Sequence, residues 1–103
     1  DTIHAGRYGG EEFLILFSGY TRKQAGKILE GMLTNFRNQE YDFLPEDVII
    51  TFSAGFTYLD NKNMDVEGFI KCADEALYYS KEHGRNQITY YNDLRLRDMQ
   101  VNR

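Results

Sequence analysis

RYGGEEF, residues 7–13, decides how the chain begins to fold, because two glycines interrupt a run of strand-forming residues and two carboxylates follow them. The next segment, EFLILF at residues 12–17, is apolar at nearly every position, which is typical of a strand buried on both faces. IHAGRY, residues 3–8, precedes the glycines. The pattern therefore predicts a β-hairpin whose tip carries Glu11 and Glu12.

An amphipathic helix is predicted from Thr21 onward. Thr21 and Gln24 have the spacing of a capping box, which satisfies free backbone N–H groups at a helix start. Gly26 and Gly31 each lower helix propensity by about 1 kcal/mol relative to alanine, so we expect close packing against a neighbour at both positions. The apolar stripe of this helix follows the helical period and comprises Ala25, Ile28, Leu29, Met32, Leu33 and Phe36.

The segment VIITFSAGFTYL, residues 48–59, is predicted to form one long strand, because it is rich in β-branched and aromatic residues. Gly55 lies within it and indicates a possible β-bulge. Alternate positions are expected to share one face of the sheet: Ile50, Phe52, Ala54, Phe56 and Tyr58.

A second helix is predicted to begin near Asp65, a favourable N-cap, and to stop at Gly84, where a left-handed backbone costs glycine nothing. NQITYY, residues 86–91, has the pattern of a last strand, and residues 92–103 form a polar tail. The order β-β-α-β-α-β indicates an α+β fold with helices packed on one side of a sheet. The helix is expected to carry these residues on one side: Phe69, Ala73, Ala76, Leu77 and Ser80.

Composition limits the classes of function. The chain has 103 residues, 42% of them hydrophobic, which suits one small globular domain or part of one. A net charge of -4 leaves no general basic field for a nucleic acid polymer or an anionic membrane. The apolar runs are far shorter than the roughly 20 residues of a membrane-spanning helix. The single cysteine, Cys72, favours a reducing compartment, so we expect a cytoplasmic domain.

The predicted hairpin tip combines a bare backbone with two negative charges. Gly9 and Gly10 let a ligand approach peptide N–H groups, which can point at phosphate oxygens. Glu11 and Glu12 would repel those phosphates unless a divalent cation lay between them, and Mg²⁺ is bound by one or two carboxylates plus substrate phosphates. The tip therefore suits a metal-bound nucleotide, although chemistry alone favours a plain turn with solvated glutamates.

Three blocks of the sequence favour the nucleotide site over the plain turn. GGEEF at residues 9–13, with its flanks RY and LIL, resembles the signature of GGDEF domains. Residues 48–59 are similar to the family's strand after its first helix. FIKCADEALYYSKEHGRNQI, residues 69–88, resembles the closing block AD-x-ALY-x-AK-x-x-GRN. Five specified letters arise by chance in a chain this long on the order of once in ten thousand. The resemblance covers residues 1–91.

The resemblance implies a diguanylate cyclase with a ferredoxin-like, palm-type nucleotidyl cyclase fold, an antiparallel-rich sheet and helices packed on it. Such domains condense two GTP molecules into cyclic di-GMP and release two pyrophosphates, using Mg²⁺ or Mn²⁺. They work as homodimers in which each half presents one GTP to the other. They are output modules of bacterial signalling proteins, so the resemblance also implies a regulatory or sensor domain in the same parent chain.

The resemblance assigns roles at the hairpin tip. Gly9 and Gly10 would line the nucleotide. Glu11 would bind the metal and act as the proposed general base, and Glu12 would be a second acidic, catalytic position. Many members have Asp where this chain has Glu11, and both residues occur in active enzymes of the family.

The resemblance also assigns a basic pair in the closing block. Lys81 and Arg85 match the two residues that contact the triphosphate in the family. Without the resemblance, a solvated helix terminus with cations near the negative end of the helix dipole would explain both. Asn86 is interpreted as a turn or capping residue and not as a ligand.

A complete domain of the family is longer at its amino end, so we expect the chain to be a carboxy-terminal portion that is inactive alone. The missing part would carry a metal-binding aspartate, the residues that read guanine and a central strand, without which the sheet stays open. In many members an Arg-x-x-Asp motif binds product, and its aspartate would fall at Ile3. Product inhibition therefore stays open.

Two other functions compete with that of an active diguanylate cyclase. The domain could bind GTP or cyclic di-GMP, or a protein partner, without turnover. It could also belong to a related cyclase that makes a mixed dinucleotide. An intact GGEEF together with Lys81 and Arg85 favours the active diguanylate cyclase.

Overall fold

The six secondary-structure elements occur in the predicted order. The computed structural model describes residues 1–45, 48–59 and 65–94. Neither helix in these ranges is long and apolar enough to cross a membrane. The elements are β1 Thr2–Gly9, β2 Glu12–Ser18, α1 Arg22–Asn38, β3 Ala54–Phe56, α2 Val66–Glu82 and β4 Ile88–Tyr90.

Strands β1 and β2 form the predicted antiparallel hairpin. Gly9 pairs with Glu12, so Gly10 and Glu11 form the tip. The register shifts between Arg7 and Gly9, which leaves one extra residue on β1 just before the tip. The tip is therefore short, and it places both glutamates next to the glycines.

The predicted burial of β2 on both faces is wrong. Phe13 is 71% exposed and Leu16 is 48% exposed, although Phe17 packs against the core. Within the described ranges, β1 and β2 form a sheet of only two strands. An apolar run can specify a strand, but its burial depends on neighbouring elements that the run itself does not encode.

Strands β3 and β4 form a second two-stranded sheet, and they are parallel, with Ala54 opposite Ile88 and Phe56 opposite Tyr90. The predicted strands over residues 48–59 and 86–91 are longer than the observed ones. In the described ranges, β3 and β4 pair over three residues each. The predicted face of the first of them is confirmed, since four of its members belong to or pack against the core: Phe52, Ala54, Phe56 and Tyr58.

Both predicted helix starts are confirmed. The Thr21 hydroxyl accepts from the Gln24 backbone N–H, and the Gln24 side chain accepts from the Thr21 N–H, which completes the capping box of α1. The Asp65 carboxylate accepts from the Gly68 N–H at 2.7 Å and caps α2. Gly84 follows α2 with a φ of 109°, as predicted for a glycine at this position.

The two helices pack on opposite faces of the β3–β4 pair, and not on one side as predicted. Phe56 packs with Ala25 and Leu29 of α1. The neighbouring residue, Gly55, faces α2 instead, because successive strand residues point to opposite faces. A Cβ atom added at Gly55 would meet the α2 backbone, 2.8 Å from the Ala76 carbonyl carbon. Gly55 therefore permits close helix packing, and its predicted role as a bulge is wrong.

The two glycines of α1 differ in how closely other residues pack against them. A Cβ at Gly26 would lie 3.2 Å from the Tyr90 hydroxyl, so the predicted close packing is confirmed there. At Gly31 the prediction is wrong, because an added Cβ would meet no described atom within 4 Å beyond its chain neighbours and the nearby backbone of its own helix.

Two buried hydroxyl groups join α2 to the β3–β4 sheet. Ser80 is fully buried, and its hydroxyl donates to the Ala54 carbonyl at 2.8 Å. The Ser80 and Thr89 hydroxyl oxygens lie 2.6 Å apart. Because the single Ser80 proton goes to Ala54, Thr89 is the donor in the second bond. This chain of bonds fixes the carboxy-terminal half of α2 over the sheet.

The chain turns into one helical turn at residues 91–94 after β4. The boundary between domain and tail after residue 91 stays a prediction. The greater part of the predicted polar tail, residues 95–103, lies outside the described residues.

Replacing Tyr90 with phenylalanine is expected to make the fold less sensitive to alkali. Partial burial and the hydrogen bond from its hydroxyl to the Glu30 carboxylate, 2.6 Å long, raise the pKa of Tyr90 well above the ordinary tyrosine value. The folded state thus keeps a proton that the unfolded chain loses above about pH 10, so the free energy of unfolding should fall as pH rises past that value. Urea denaturation between pH 8 and pH 11 should show a shallower fall for Tyr90→Phe. Equal slopes for the two proteins would contradict the assignment.

Candidate functional site

The two glycines at the hairpin tip leave the backbone open. Among the described glycines only Gly19 and Gly84 have positive φ, so Gly9 and Gly10 do not need glycine for their backbone conformation. A Cβ at either position would meet no described atom within 4 Å other than those of the residues next to it in the chain. Neither conformation nor packing in this part of the chain requires glycine at the tip. Open access to the peptide groups is the property that both residues supply.

Arg7 holds the tip in shape. Its guanidinium donates from Nε to the Gly10 carbonyl at 2.9 Å, and Nη2 donates to the same oxygen. The Gly10 carbonyl is therefore paired within the hairpin. The arginine satisfies it, which favours approach of an anion to the neighbouring N–H groups.

The acidic tip meets the carboxy-terminal end of α2. Lys81, in the last turn of α2, lies with its ammonium nitrogen 3.3 Å from Oε1 of Glu12. Their side chains are 30% and 38% exposed, so the pair is accessible to solvent. Residues 69 positions apart in the sequence, one from each block of the motif pattern, are thereby brought into contact.

Glu11 lies at the tip and differs from Glu12 in its contacts with the described residues. Its side chain is exposed and forms no hydrogen bond or ion pair with the described residues. In the same ranges, no three His, Cys, Asp or Glu side chains form a group that could hold a metal ion. Carboxylate oxygens are the ligands that Mg²⁺ prefers, and one or two of them suffice when phosphates complete the shell. The exposed carboxylate of Glu11 is of the chemical type that such a site requires, and metal binding at Glu11 stays a prediction.

Arg85 lies on the loop that follows α2. Its backbone N–H donates to the Ser80 carbonyl at 2.9 Å, the bond that closes a Schellman motif around Gly84. Its φ is 59°, an uncommon conformation for arginine. The Arg85 side chain is exposed and makes no hydrogen bond or ion pair with the described residues. Its predicted contact with a triphosphate, together with Lys81, stays a prediction.

Asn86 is a turn residue, as interpreted from the sequence, and it contacts a residue that sequence reasoning missed. Asn86 has a φ of 50°, and its side-chain oxygen accepts from Arg37 Nε at 2.7 Å. The Asn86 carbonyl accepts from Arg37 Nη2 at 2.8 Å. Arg37 is the basic residue in the last turn of α1, which by itself indicates only a favourable interaction with the helix dipole.

Comparison with known families gives a match over most of the chain. The family model described as "Diguanylate cyclase, GGDEF domain" matches residues 2–87. This range contains the hairpin, both helices and the loop of Arg85 and Asn86.

Individual proteins agree with that match. The chain is 31% identical over 88 residues to diguanylate cyclase A of Treponema denticola, covering 82% of this chain and 23% of that protein. It is 31% identical over 91 residues to a diguanylate cyclase of Vibrio cholerae, covering 88% and 28%. The chain thus spans about a quarter of the length of these relatives.

A solved structure agrees in fold. The crystal structure of the GGDEF domain of DgcB from Caulobacter crescentus, in complex with c-di-GMP, superposes with a TM-score of 0.77 and 29% sequence identity. The match covers 87% of this chain and 54% of that one. The mixed arrangement of helices and strands is therefore shared with that domain.

Proposed function

The chain belongs to the GGDEF family, and from this premise we propose that it forms the carboxy-terminal portion of a diguanylate cyclase. The proposed reaction condenses two GTP molecules into cyclic di-GMP and two pyrophosphates. One observation carries the proposal: the GGEEF tip and the basic end of α2 meet through Glu12 and Lys81, 3.3 Å apart. An acidic metal-binding group beside a basic phosphate-binding group is what a metal-bound triphosphate requires.

The chemistry consists of two equivalent phosphoryl transfers. In each, the 3′-oxygen of one GTP forms a bond to the α-phosphorus of the other. The bond from that phosphorus to the oxygen bridging the α- and β-phosphates breaks, and this oxygen leaves with the pyrophosphate. The 3′-hydroxyl proton leaves as the bond forms. Two such sites must face each other, so the proposal includes a homodimer in which each copy presents one GTP.

Each site residue has a part in this proposal. Gly9 and Gly10 admit the nucleotide to the backbone, and Glu11 holds the metal and accepts the 3′-hydroxyl proton. Bound Mg²⁺ or Mn²⁺ would neutralise phosphate charge and favour ionisation of the attacking hydroxyl.

The basic residues complete the site. Lys81 and Arg85 would bind the triphosphate and stabilise the charge on the departing pyrophosphate. Glu12 holds Lys81 at the tip before substrate arrives and provides the second carboxylate. A regulatory or sensor domain in the same parent chain and a cytoplasmic location belong to the same proposal.

The test is GTP turnover by the natural full-length protein with Mg²⁺, after bound nucleotide has been removed. The proposal expects cyclic di-GMP and pyrophosphate in a ratio of one to two, identified by mass spectrometry and a phosphate assay. Specific activity should rise with protein concentration as the dimer forms. GTP or cyclic di-GMP binding without product would instead support the competing function, a binding module that does not turn over.

Replacing Lys81 with methionine is expected to raise the KM for GTP roughly tenfold or more, since charge-assisted hydrogen bonds to phosphate are worth about 1.5–3 kcal/mol. Methionine keeps the length of the aliphatic stem and removes the charge. Lys71→Met is the matched control, because Lys71 is an exposed lysine of the same helix that forms no hydrogen bond or ion pair with the described tip residues. Equal KM values for the two variants would contradict the role of Lys81.

A further inference from the structure

The loop after α2 has an unusual run of backbone conformations. Gly84, Arg85 and Asn86 have φ values of 109°, 59° and 50°, so three successive residues lie in the left-handed region. Glycine adopts this region without cost and asparagine tolerates it, but arginine does not favour it. Such conformations persist only where surrounding contacts impose them, and they concentrate at functional sites.

Hydrogen bonds impose this conformation from both sides of Arg85. On the amino side, the Arg85 N–H is fixed to the Ser80 carbonyl. On the carboxy side, Asn86 receives both bonds of the Arg37 guanidinium, at 2.7 and 2.8 Å, and its own N–H donates to the Ser53 hydroxyl at 3.1 Å. Of these contacts, the two hydrogen bonds from Arg37 are the ones with a charged donor, and Arg37 belongs to α1 and not to α2.

The Arg37 guanidinium donates its two hydrogen bonds to the loop after α2. A guanidinium in the last turn of a helix commonly interacts with the carbonyls of that helix end. Here Nε and Nη2 donate to residue 86, 49 positions away, and to both its side chain and its backbone. One bond holds the Asn86 side chain and the other holds the Asn86 carbonyl. Arg37 therefore fixes residue 86, next to the backbone from which the exposed Arg85 side chain projects.

We infer that Arg37 is a positioning residue for Arg85: it holds residues 85–86 in the conformation from which the Arg85 guanidinium reaches the triphosphate of GTP. The inference rests on the proposed function, because the ligand it names is the triphosphate. Arg37 itself does not touch substrate. Its effect is to reduce the motion that Arg85 must lose when the phosphates bind.

The test compares two arginines of α1 in the natural full-length protein. Arg37→Gln removes the fork, and Arg22→Gln is the matched control. Arg22 also reaches out of α1, with its guanidinium 5.0 Å from the centre of the Tyr58 ring, so both variants lose one charge and one tertiary contact. Arg37→Lys keeps the charge but lacks the rigid guanidinium fork that makes both bonds to Asn86. The probe is a GTP analogue with a methylene group between the α- and β-phosphates, titrated calorimetrically at physiological salt, where long-range charge effects are screened.

Arg37→Gln and Arg37→Lys should raise the Kd for the analogue on the order of fivefold, and Arg22→Gln should leave it within twofold. The decisive measurement repeats Arg37→Gln in an Arg85→Gln background, where a positioning residue has nothing left to position and the additional change should be below twofold. An undiminished effect in that background, or equal Kd values for the Arg37 and Arg22 variants, would overturn the inference. Binding by the wild type without cyclic di-GMP would refute the cyclase and leave this comparison valid, whereas no binding by the wild type would refute both.

Discussion

Replacing Glu11 with alanine is expected to reduce the rate of cyclic di-GMP formation about a thousandfold or more, since it removes both a metal ligand and the proposed general base. The protein should fold as before. Glu11 is exposed at the hairpin tip and forms no hydrogen bond or ion pair with the described residues, so the fold loses no contact. The measurement is kcat for GTP with saturating Mg²⁺, together with the thermal midpoint of each variant.

Two further variants make this result specific. Glu75→Gln removes one negative charge from an exposed position of α2 and should leave kcat within twofold. Glu11→Asp keeps the carboxylate, and because the family uses either residue at this position, we expect it to retain activity within about tenfold. An active Glu11→Ala enzyme would remove Glu11 from the centre of the reaction. Loss of activity accompanied by a lower thermal midpoint would assign the residue to folding instead.

The parts of the fold that follow from the sequence are those set by local contacts. The capping box of Thr21 and Gln24 and the N-cap at Asp65 involve residues three apart, so the spacing alone specified them. Strand lengths did not follow, because a strand ends where its partner ends. The prediction of a bulge at Gly55 was wrong because it used only the local sequence. The α2 backbone that packs against Gly55 lies about twenty residues further along the chain.

The candidate site also has a part that the sequence predicts and a part that it does not. The hairpin tip was predictable because GGEEF and the two flanking strands are contiguous. The contact of Glu12 with Lys81 was not, since no local pattern relates residues 69 positions apart. Arg37 carried no signal at all, because a basic residue in the last turn of a helix is common on electrostatic grounds alone. Resemblance to a family supplied which residues to consider, and only the three-dimensional arrangement supplied which of them meet.

Replacing Gly55 with alanine is expected to destabilise the fold by about 3 kcal/mol or more, a large part of the stability of a typical small domain. The added Cβ would lie within 3 Å of backbone atoms of Ala73, Ala76 and Leu77, and backbone cannot rotate away as a flexible side chain can. Helix α2 would have to move off the β3–β4 pair, which would also break the Ser80 bonds to the sheet. Urea denaturation followed by far-ultraviolet circular dichroism would measure the change.

Gly31→Ala is the matched control for this prediction, because it makes the same chemical change inside a helix where space is open. Beyond its chain neighbours and the nearby backbone of its own helix, no described atom lies within 4 Å of the added methyl group. Alanine favours the helix by about 1 kcal/mol over glycine, so this variant should be slightly more stable than the wild type. Opposite signs for the two substitutions would show that contact with α2, and not the general preference of glycine for flexible backbone, fixes residue 55. A Gly55→Ala protein as stable as the wild type would mean that α2 does not pack against β3 at this distance.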